Sequence, residues 1–373
     1  MKKVKVMSVF GTRPETIKMA PVVKELENRP EFDSIVCVTA QHRQMLDSVL
    51  TAFSIKPDYD LDIMKERQTL SDITANVLCG LGEVIEKEKP DIVLVHGDTT
   101  TTFAGALAAF YARAAIGHVE AGLRTYQKYS PYPEEANRQF VGCVADLHFS
   151  PTELSRQNLL NEGKNPDAIY ITGNTAIDAL KLTVRENYQD EITQWAEGSR
   201  LIVLTAHRRE NLGEPMRGMF RSIRRITEEF DDVKVVYPVH LNPAVREAAD
   251  EVLGGCDKIR LIPPMEVLEF HNLLAKSYLI LTDSGGIQEE APSLKKPVIV
   301  LRDTTERPEG IDAGTLKLAG TDEAVIYNTI RQLLEDKEEY SRMSNAENPY
   351  GDGFASERIA DAILDWHSQL SAD

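Results

Sequence analysis

With 373 residues, 42% of them hydrophobic and 27% charged, the chain can bury a core, is too long for one ordinary core, and suits two domains of about 150–200 residues each. A net charge of −17 with no basic stripe excludes a nucleic-acid or anionic-membrane surface, so an anionic ligand requires local Arg and Lys. No apolar run reaches membrane-spanning length, and the alternation over 4–10 is too short for a signal sequence.

Four cysteines, Cys37, Cys79, Cys143 and Cys256, stand far apart without a C-x-x-C pair. They read as buried free thiols of a reducing compartment, which places the protein in the cytoplasm.

Residues 4–10 predict a strand, Gly11-Thr12-Arg13-Pro14-Glu15 a turn, and 16–28 a helix on which Ile17, Ala20, Val23 and Leu26 recur at helical spacing. Arg13 then stands at a strand's carboxyl end and Lys18 one turn into the helix, where both could meet a diphosphate. Lys18 equally fits a solvated helix surface. A strand over 35–39 leads to Ala40-Gln41-His42-Arg43-Gln44 and a helix through about 53. After a further extended piece at 59–63, an amphipathic helix over 69–88 ends before Pro90.

The hydrophobic strand 92–96 delivers Gly97-Asp98, an Ala-rich helix follows over 102–113, and the strand 116–119 delivers Glu120-Ala121-Gly122-Leu123-Arg124. A polar loop carries Tyr129-Ser130-Pro131-Tyr132-Pro133-Glu134-Glu135-Ala136-Asn137-Arg138 into a helix with proline near its start and acids in its first turn. A strand at 147–150, a helix at 152–161 and a strand at 169–172 continue the alternation of an open parallel sheet.

From 173 to 200 the composition turns polar and strongly charged, which marks the boundary between a first domain over 1–172 and a second over 173–353. In the second, strands at 201–206, 233–236, 259–262 and 298–301 deliver His207-Arg208-Arg209-Glu210-Asn211, Tyr237-Pro238-Val239-His240, Pro263-Pro264 and the segment 302–309. The strand 279–281 delivers Thr282-Asp283-Ser284-Gly285-Gly286, a sharp turn, and a helix opens from Ile287. A strand at 315–318, helices within 322–344 and a last helix near 356–369 complete the chain.

Backbone N–H groups at a helix start lack intrahelical partners, and glycines there let an anion approach without meeting a Cβ. Ser284–Gly286 therefore reads as a phosphate seat, with Glu290 about one turn further on to accept hydrogen bonds from a sugar diol. Taken alone, the stretch fits equally a core helix capped by Ser284 behind a tight glycine turn.

In open parallel sheets the ligand sits beyond the carboxyl ends of the strands. Polar residues stand there in both halves: Arg13, Asp98, Glu120 and Glu134 in the first, His207, Ser284, Gly285, Glu290 and Arg307 in the second. The expected site is the cleft between the domains. His96 with Asp98, and His118 with Glu120, form i,i+2 pairs that could ligate a metal, but no third ligand lies at a motif spacing. The glycine fingerprint of a nicotinamide site and the G-x-S-x-G elbow of a serine hydrolase are both missing from the sequence.

Gly11–Glu15, His96-Gly97-Asp98-Thr99, His118–Arg124, Pro133–Arg138, His207–Asn211, Asp283–Pro292 and Arg302–Glu309 together resemble the non-hydrolysing UDP-N-acetylglucosamine 2-epimerases, in one order and over nearly the whole chain. The resemblance implies an α/β, GT-B-like architecture of two Rossmann-like doubly wound parallel-sheet domains, commonly dimeric, with the helix within 354–373 crossing back to the first domain. It implies reversible conversion of UDP-N-acetylglucosamine to UDP-N-acetylmannosamine without metal or redox cofactor.

By position, it implies UDP contacts from Arg13, Lys18, Phe270, Ser284, Gly285, Gly286, Glu290 and Arg307, and catalytic roles for Asp98, Glu120, Glu134 and His207. Gln41, His42, Gln44, Arg67, Arg208 and His240 match positions at which bacterial members bind a second UDP-N-acetylglucosamine as an activator. They fit equally polar residues lining a domain interface. Met265 departs from members that carry glutamine near the uracil. The rival readings are a GT-B glycosyltransferase, which would need an acceptor cleft, a hydrolysing 2-epimerase, and a non-catalytic UDP-sugar sensor, which would need only the UDP contacts.

Overall fold

The structure is a computed structural model that describes residues 3–40, 43–65 and 67–370, with the backbone course alone at 43–45. The chain divides into two compact units, residues 1–182 with 350–373, and residues 183–349.

Unit 1 contains β1 (Val4–Phe10), α1 (Arg13–Asn28), β2 (Phe32–Val38), α2 (Arg43–Ala52), β3 (Tyr59–Asp60), α3 (Leu70–Glu88), β4 (Ile92–His96), α4 (Thr100–Tyr111), β5 (Ala115–Val119), α5 (Glu134–Val144), β6 (Leu147–Ser150), α6 (Glu153–Asn161), β7 (Ile169–Ile171) and α7 (Thr175–Thr183). Its strands pair in parallel in the order β3-β2-β1-β4-β5-β6-β7. Sheet growth reverses between β1 and β4, and their carboxyl ends splay into the crevice where such sheets bind ligands. The register Val6↔Ile92 to Val9↔Val95 brings Gly11 and Gly97 to this same edge. Both faces of the sheet are covered, so Val6, Met7, Val9, Val93, Leu94 and Val95 are all fully buried and the strands read as near-continuous apolar runs.

Unit 2 contains α8 (Glu191–Trp195), β8 (Arg200–Thr205), α9 (Glu214–Glu229), β9 (Val233–Pro238), α10 (Pro243–Leu253), β10 (Ile259–Ile262), α11 (Val267–Lys276), β11 (Leu279–Thr282), α12 (Gly285–Glu290), β12 (Val298–Val300), α13 (Pro308–Asp312), β13 (Leu316–Leu318), α14 (Glu323–Glu335) and α15 (Lys337–Ser344). The strand order is β10-β9-β8-β11-β12-β13, all parallel, with the reversal between β8 and β11. His207 and Asp283 follow those two strands. The final helix, α16 (Ala355–Leu370), belongs to unit 1.

Local chemistry moves several boundaries from their expected places. Helix α1 starts at Arg13 rather than 16, because Thr12 and Glu15 form a capping box and Pro14 occupies the first turn, where no intrahelical donor is required. Strand β2 starts at Phe32 because Phe32, Asp33 and Ser34 pair with Val4, Lys5 and Val6. The polar segment after 173 holds two short helices. The first is tied to the end of the chain: Asn174 N–H donates to Tyr350 O at 2.8 Å, and Asp178 accepts from Ser356 N–H at 2.7 Å and Ala355 N–H at 3.2 Å. The unit therefore runs on to residue 182, ten residues or so beyond the change in composition.

All four cysteines are free, but they are not uniformly buried: Cys37 is buried, Cys256 is half-buried, and Cys79 on α3 and Cys143 on α5 are exposed. The spacing argument excluded pairing and contained no information about which helix face carries the thiol. Among the described residues, no helix is long and apolar enough to cross a membrane.

Burial holds the imidazoles of His96, His148 and His271 down to about 4, and that of His118 well below its ordinary range. Unfolded histidine protonates near about 6.5, so below that pH the unfolded state binds more protons and stability falls as pH falls. Buried Glu15 and Asp178, pushed up by burial, act in the opposite sense. A net loss of several degrees in Tm is expected from about pH 7 to about pH 5, smaller in His148→Asn. A wild-type Tm flat across that range would show that these histidines titrate normally.

Candidate active site

In unit 1 the loops after β1, β4 and β5 are cross-linked through carboxylates. Glu15 is buried, and its Oε2 accepts from the N–H groups of Gly11 at 3.1 Å and Thr12 at 2.8 Å. Its Oε1 accepts from the hydroxyls of Thr99 at 2.6 Å and Thr102 at 3.1 Å. One side chain thus ties the turn carrying Arg13 to the turn carrying Asp98. Burial pushes the Glu15 carboxyl up, and these hydrogen bonds oppose it.

Arg138, one turn into α5, joins the next two acids. Its Nε donates to Asp98 Oδ2 at 2.8 Å, its Nη1 to Glu120 O at 3.0 Å, and its Nη2 lies 3.2 Å from Glu120 Oε1. Asn137 donates to Asp98 O at 2.8 Å, so two successive residues of α5 fix the Asp98 turn. Lys18 pairs with Glu120 Oε2 from the other side. Glu120 has φ of 61°, a left-handed conformation that a β-carbon disfavours, and the Arg138 contact to its carbonyl helps hold it there. Burial would push this carboxyl up, yet Lys18 and Arg138 outweigh burial and keep it well below the usual carboxylate range.

His96 Nε2 lies 3.7 Å from Glu120 Oε2, beyond a hydrogen bond, and its ring is neutral at physiological pH. His118 places Nε2 2.7 Å from Gly97 O and so supports the same turn. Glu134, the first residue of α5, is half-buried and has no side-chain hydrogen bond or ion pair among the described residues.

In unit 2 the centre is Asp283, fully buried at the end of β11. Its Oδ2 accepts from the N–H groups of His207 at 2.7 Å and Arg208 at 2.8 Å. Its Oδ1 lies 3.2 Å from His207 Nδ1, an electrostatic pairing rather than a well-aligned hydrogen bond. The His207 ring stacks on His240 with centroids 5.4 Å apart. Burial lowers the His207 imidazole, Asp283 opposes this, and His240 and Arg208 add to it.

Beside Asp283, Ser284 caps α12 through its backbone alone, leaving its hydroxyl uncommitted to the helix. A Cβ built on Gly285 would approach only Arg307 Nη2 at 3.8 Å, and one on Gly286 only Glu290 Oε1 at 3.7 Å. Internal packing therefore does not demand glycine at either place, and what the missing side chains provide is open space at the turn. Arg307 is held by Glu289 and Glu290 lies 3.8 Å from His271 Nε2. Phe270 and Met265 are partly buried and pack on the hydrophobic cluster that includes Ile287 of α12. The following loop is fixed by Arg302, bidentate to Glu306 at 2.7 and 3.0 Å, a pairing that holds Glu306 down to about 2.

The UDP-N-acetylglucosamine 2-epimerase family model matches residues 24–364. The chain belongs to the UDP-N-acetylglucosamine 2-epimerase family. A Bacillus subtilis UDP-N-acetylglucosamine 2-epimerase is 66% identical over 364 residues, covering 98% of this chain and 96% of that protein. A Listeria monocytogenes crystal structure assigned to the same activity is 59% identical with a TM-score of 0.95, covering 98% of this chain and 97% of that one. The Neisseria meningitidis UDP-GlcNAc 2-epimerase, solved bound to UDP-GlcNAc, is 51% identical with a TM-score of 0.87, covering 97% of this chain and all of that one. Two parallel-sheet α/β units of this kind are the GT-B-like class.

Of the positions matched to the epimerase family, Asp98, Glu120 and Lys18 come together in unit 1, with Lys18 on a carboxylate rather than in open solvent. Arg13 is exposed at the first position of α1. His207, Arg208 and His240 come together in unit 2, as do Ser284, Gly285, Gly286, Glu290 and Arg307 around α12. Arg67 is exposed with φ of 59°. Gln41 and His42 lie outside the described residues, as does the side chain of Gln44. No three His, Cys, Asp or Glu side chains gather as a metal would require, among the described residues.

Glu15, Arg138 and Asp283 stand inside the motifs with no role of their own legible in the sequence. Thr12-x-x-Glu15 carries the capping-box signature, and Arg138 lies one helical turn from Glu134; Asp283 has no local signal, because its partners are over seventy residues away. Removing Arg138 would leave two carboxylates short of their counter-charge. Arg138→Met is expected to cost about 3–5 kcal/mol in denaturant unfolding; a loss under about 1 kcal/mol would mean the pair is solvated and the clamp unimportant.

Proposed function

We propose that this chain interconverts UDP-N-acetylglucosamine and UDP-N-acetylmannosamine by eliminating UDP to a 2-acetamidoglucal and adding it back to the other face. The C2 proton of an N-acetylhexosamine is not beside a carbonyl, so direct abstraction is out of reach. If the C1–O bond to UDP breaks first, positive charge develops at C1 and the C2 proton becomes acidic enough for a carboxylate. The chemistry needs cations and N–H groups around the leaving diphosphate and carboxylates around the sugar.

The observation that carries this reading is the division of labour among the unit 1 acids. Glu120 and Asp98 are both braced by Arg138, while Glu134 has no described partner. Asp98 and Glu134 serve as the acid/base pair, and Glu120, buried and fixed, steadies the developing cation. In unit 2, the Ser284–Gly286 turn, His207 and Arg307 hold the diphosphate. Glu290 takes the ribose, and Phe270 and Met265 lie against the base. The relatives solved with UDP-GlcNAc support that ligand. The product would supply N-acetylmannosamine for cell-surface polysaccharide, made in the cytoplasm.

An activating role for a second UDP-N-acetylglucosamine is assigned in this reading to the matched positions Gln41, His42, Gln44, Arg67, Arg208 and His240. Its support is that Arg208 and His240 both adjoin His207 in unit 2. Homodimerisation is supported by exposed Phe110, Tyr111 and Phe140 on α4 and α5.

Proton NMR with UDP-N-acetylglucosamine in D2O should show UDP-N-acetylmannosamine deuterated at C2, with both nucleotide sugars labelled over time. Asp98→Asn and Glu134→Gln should each abolish this while leaving UDP affinity nearly intact. Free N-acetylmannosamine plus UDP would mean the hydrolysing type, and an unchanged substrate would mean a transferase or a sensor. Rate curves should be sigmoidal in the wild type and hyperbolic in Arg67→Ala, both sedimenting as dimers; a hyperbolic wild type removes the activating site, and a monomer removes the dimer.

A further inference from the structure

Asp283 is positioned to do more than cap a turn. Its Oδ2 is saturated by the two backbone donors of His207 and Arg208, so Oδ1 alone faces the His207 ring. The carboxylate is fully buried, whereas the His207 side chain is 41% exposed, with Nδ1 toward Asp283 and Nε2 on the far side of the ring. Arg208 Nε also donates to Asp283 O at 3.2 Å, fixing the turn from which the carboxylate projects. The ring also stacks on His240, with centroids 5.4 Å apart.

We propose that Asp283 is a positioning residue for His207, holding a proton on Nδ1 so that Nε2 is the atom offered to the leaving diphosphate. The inference rests on the epimerase reading above. As the C1–O bond breaks, its electron pair passes to the β-phosphate oxygen; the ring, having taken a second proton from solvent on Nε2 before the step, gives that proton to the oxygen and returns to the neutral form protonated on Nδ1. Asp283, facing the ring through Oδ1, balances its charge. The groups that face His207 within unit 2 are Asp283 from the β11 turn, His240 from the loop after β9, and Arg208 from its own loop. Of these only Asp283 favours the charged ring.

Asp283→Asn separates this role from simple capping. The His207 and Arg208 N–H groups require the carboxamide oxygen at the Oδ2 position, so the NH2 group must face Nδ1. Nδ1 then has to accept, the neutral ring must carry its proton on Nε2, and the imidazolium is opposed. The backbone caps survive while the tautomer is reversed.

The expected result is a kcat lower by about 10²–10⁴-fold, with KM and UDP affinity within about three-fold. The alkaline limb of kcat should move to lower pH, and the effect should vanish in a His207→Asn background. Long-range proton–nitrogen NMR of the wild type should show His207 protonated at Nδ1. A kcat within about three-fold of wild type, an equal loss in the His207→Asn background, or a wild-type neutral ring protonated at Nε2 would each overturn the inference. If Asp283→Asn does not fold, the wild-type NMR result decides alone. His207→Asn with full turnover would overturn the reading of His207 itself, whatever Asp283→Asn does.

Discussion

A guanidinium shared by two carboxylates is the constraint on which unit 1 depends. Asp98 and Glu120 arrive from different strands, and their turns would repel one another as paired anions. Arg138 answers both from a helix that begins later in the chain, and also takes up the carbonyl of Glu120, whose backbone is left-handed. Lys18 completes the charge balance from α1. Burying ions costs several kcal/mol each unless geometry and hydrogen bonding compensate, so the side chains of four elements must reach their places together. The reward is a Glu120 carboxyl that its neighbours hold well below the usual carboxylate range despite burial.

Unit 2 solves a related problem with the charges reversed. Donors left idle in a folded chain find acceptors of their own. The carboxylates that occupy them lie behind the cations: Glu289 behind Arg307, Glu306 behind Arg302, and Asp283 behind His207 and Arg208. Each acid orients its partner; Arg302 is buried, whereas the His207 ring keeps a face exposed. The glycines of the turn keep the approach clear, since a Cβ there would meet no obstacle inside the protein and could only obstruct something from outside.

Both sheets place these arrangements at the point where strand order reverses, and small local devices hold the loops there. Glu15 closes a capping box on α1 and in the same act ties the β1 and β4 turns together. His118 braces Gly97, and Asn137 braces Asp98. These side chains contact no proposed substrate atom, yet they fix the distances between those that do.

The sequence by itself determined the alternation of strand and helix, the parallel two-unit architecture and the polar segments at the strand ends, because these are written in short-range signals: apolar runs, helical periodicity, caps and glycine turns. It placed Asp98, Glu120, His207 and Ser284 at strand ends without any knowledge of the sheet. Tertiary structure alone decided which of them meet. Lys18 stands on a carboxylate because β1 and β5 lie on either side of β4. Asp283 reaches His207 because β8 and β11 are neighbours despite the residues between them. The domain boundary shifts because α7 is held by the end of the chain, and Cys79 and Cys143 are exposed because helix rotation, not spacing, sets their faces. Contacts distant along the chain leave no periodic trace in it, which is why partner choice had to wait for the fold.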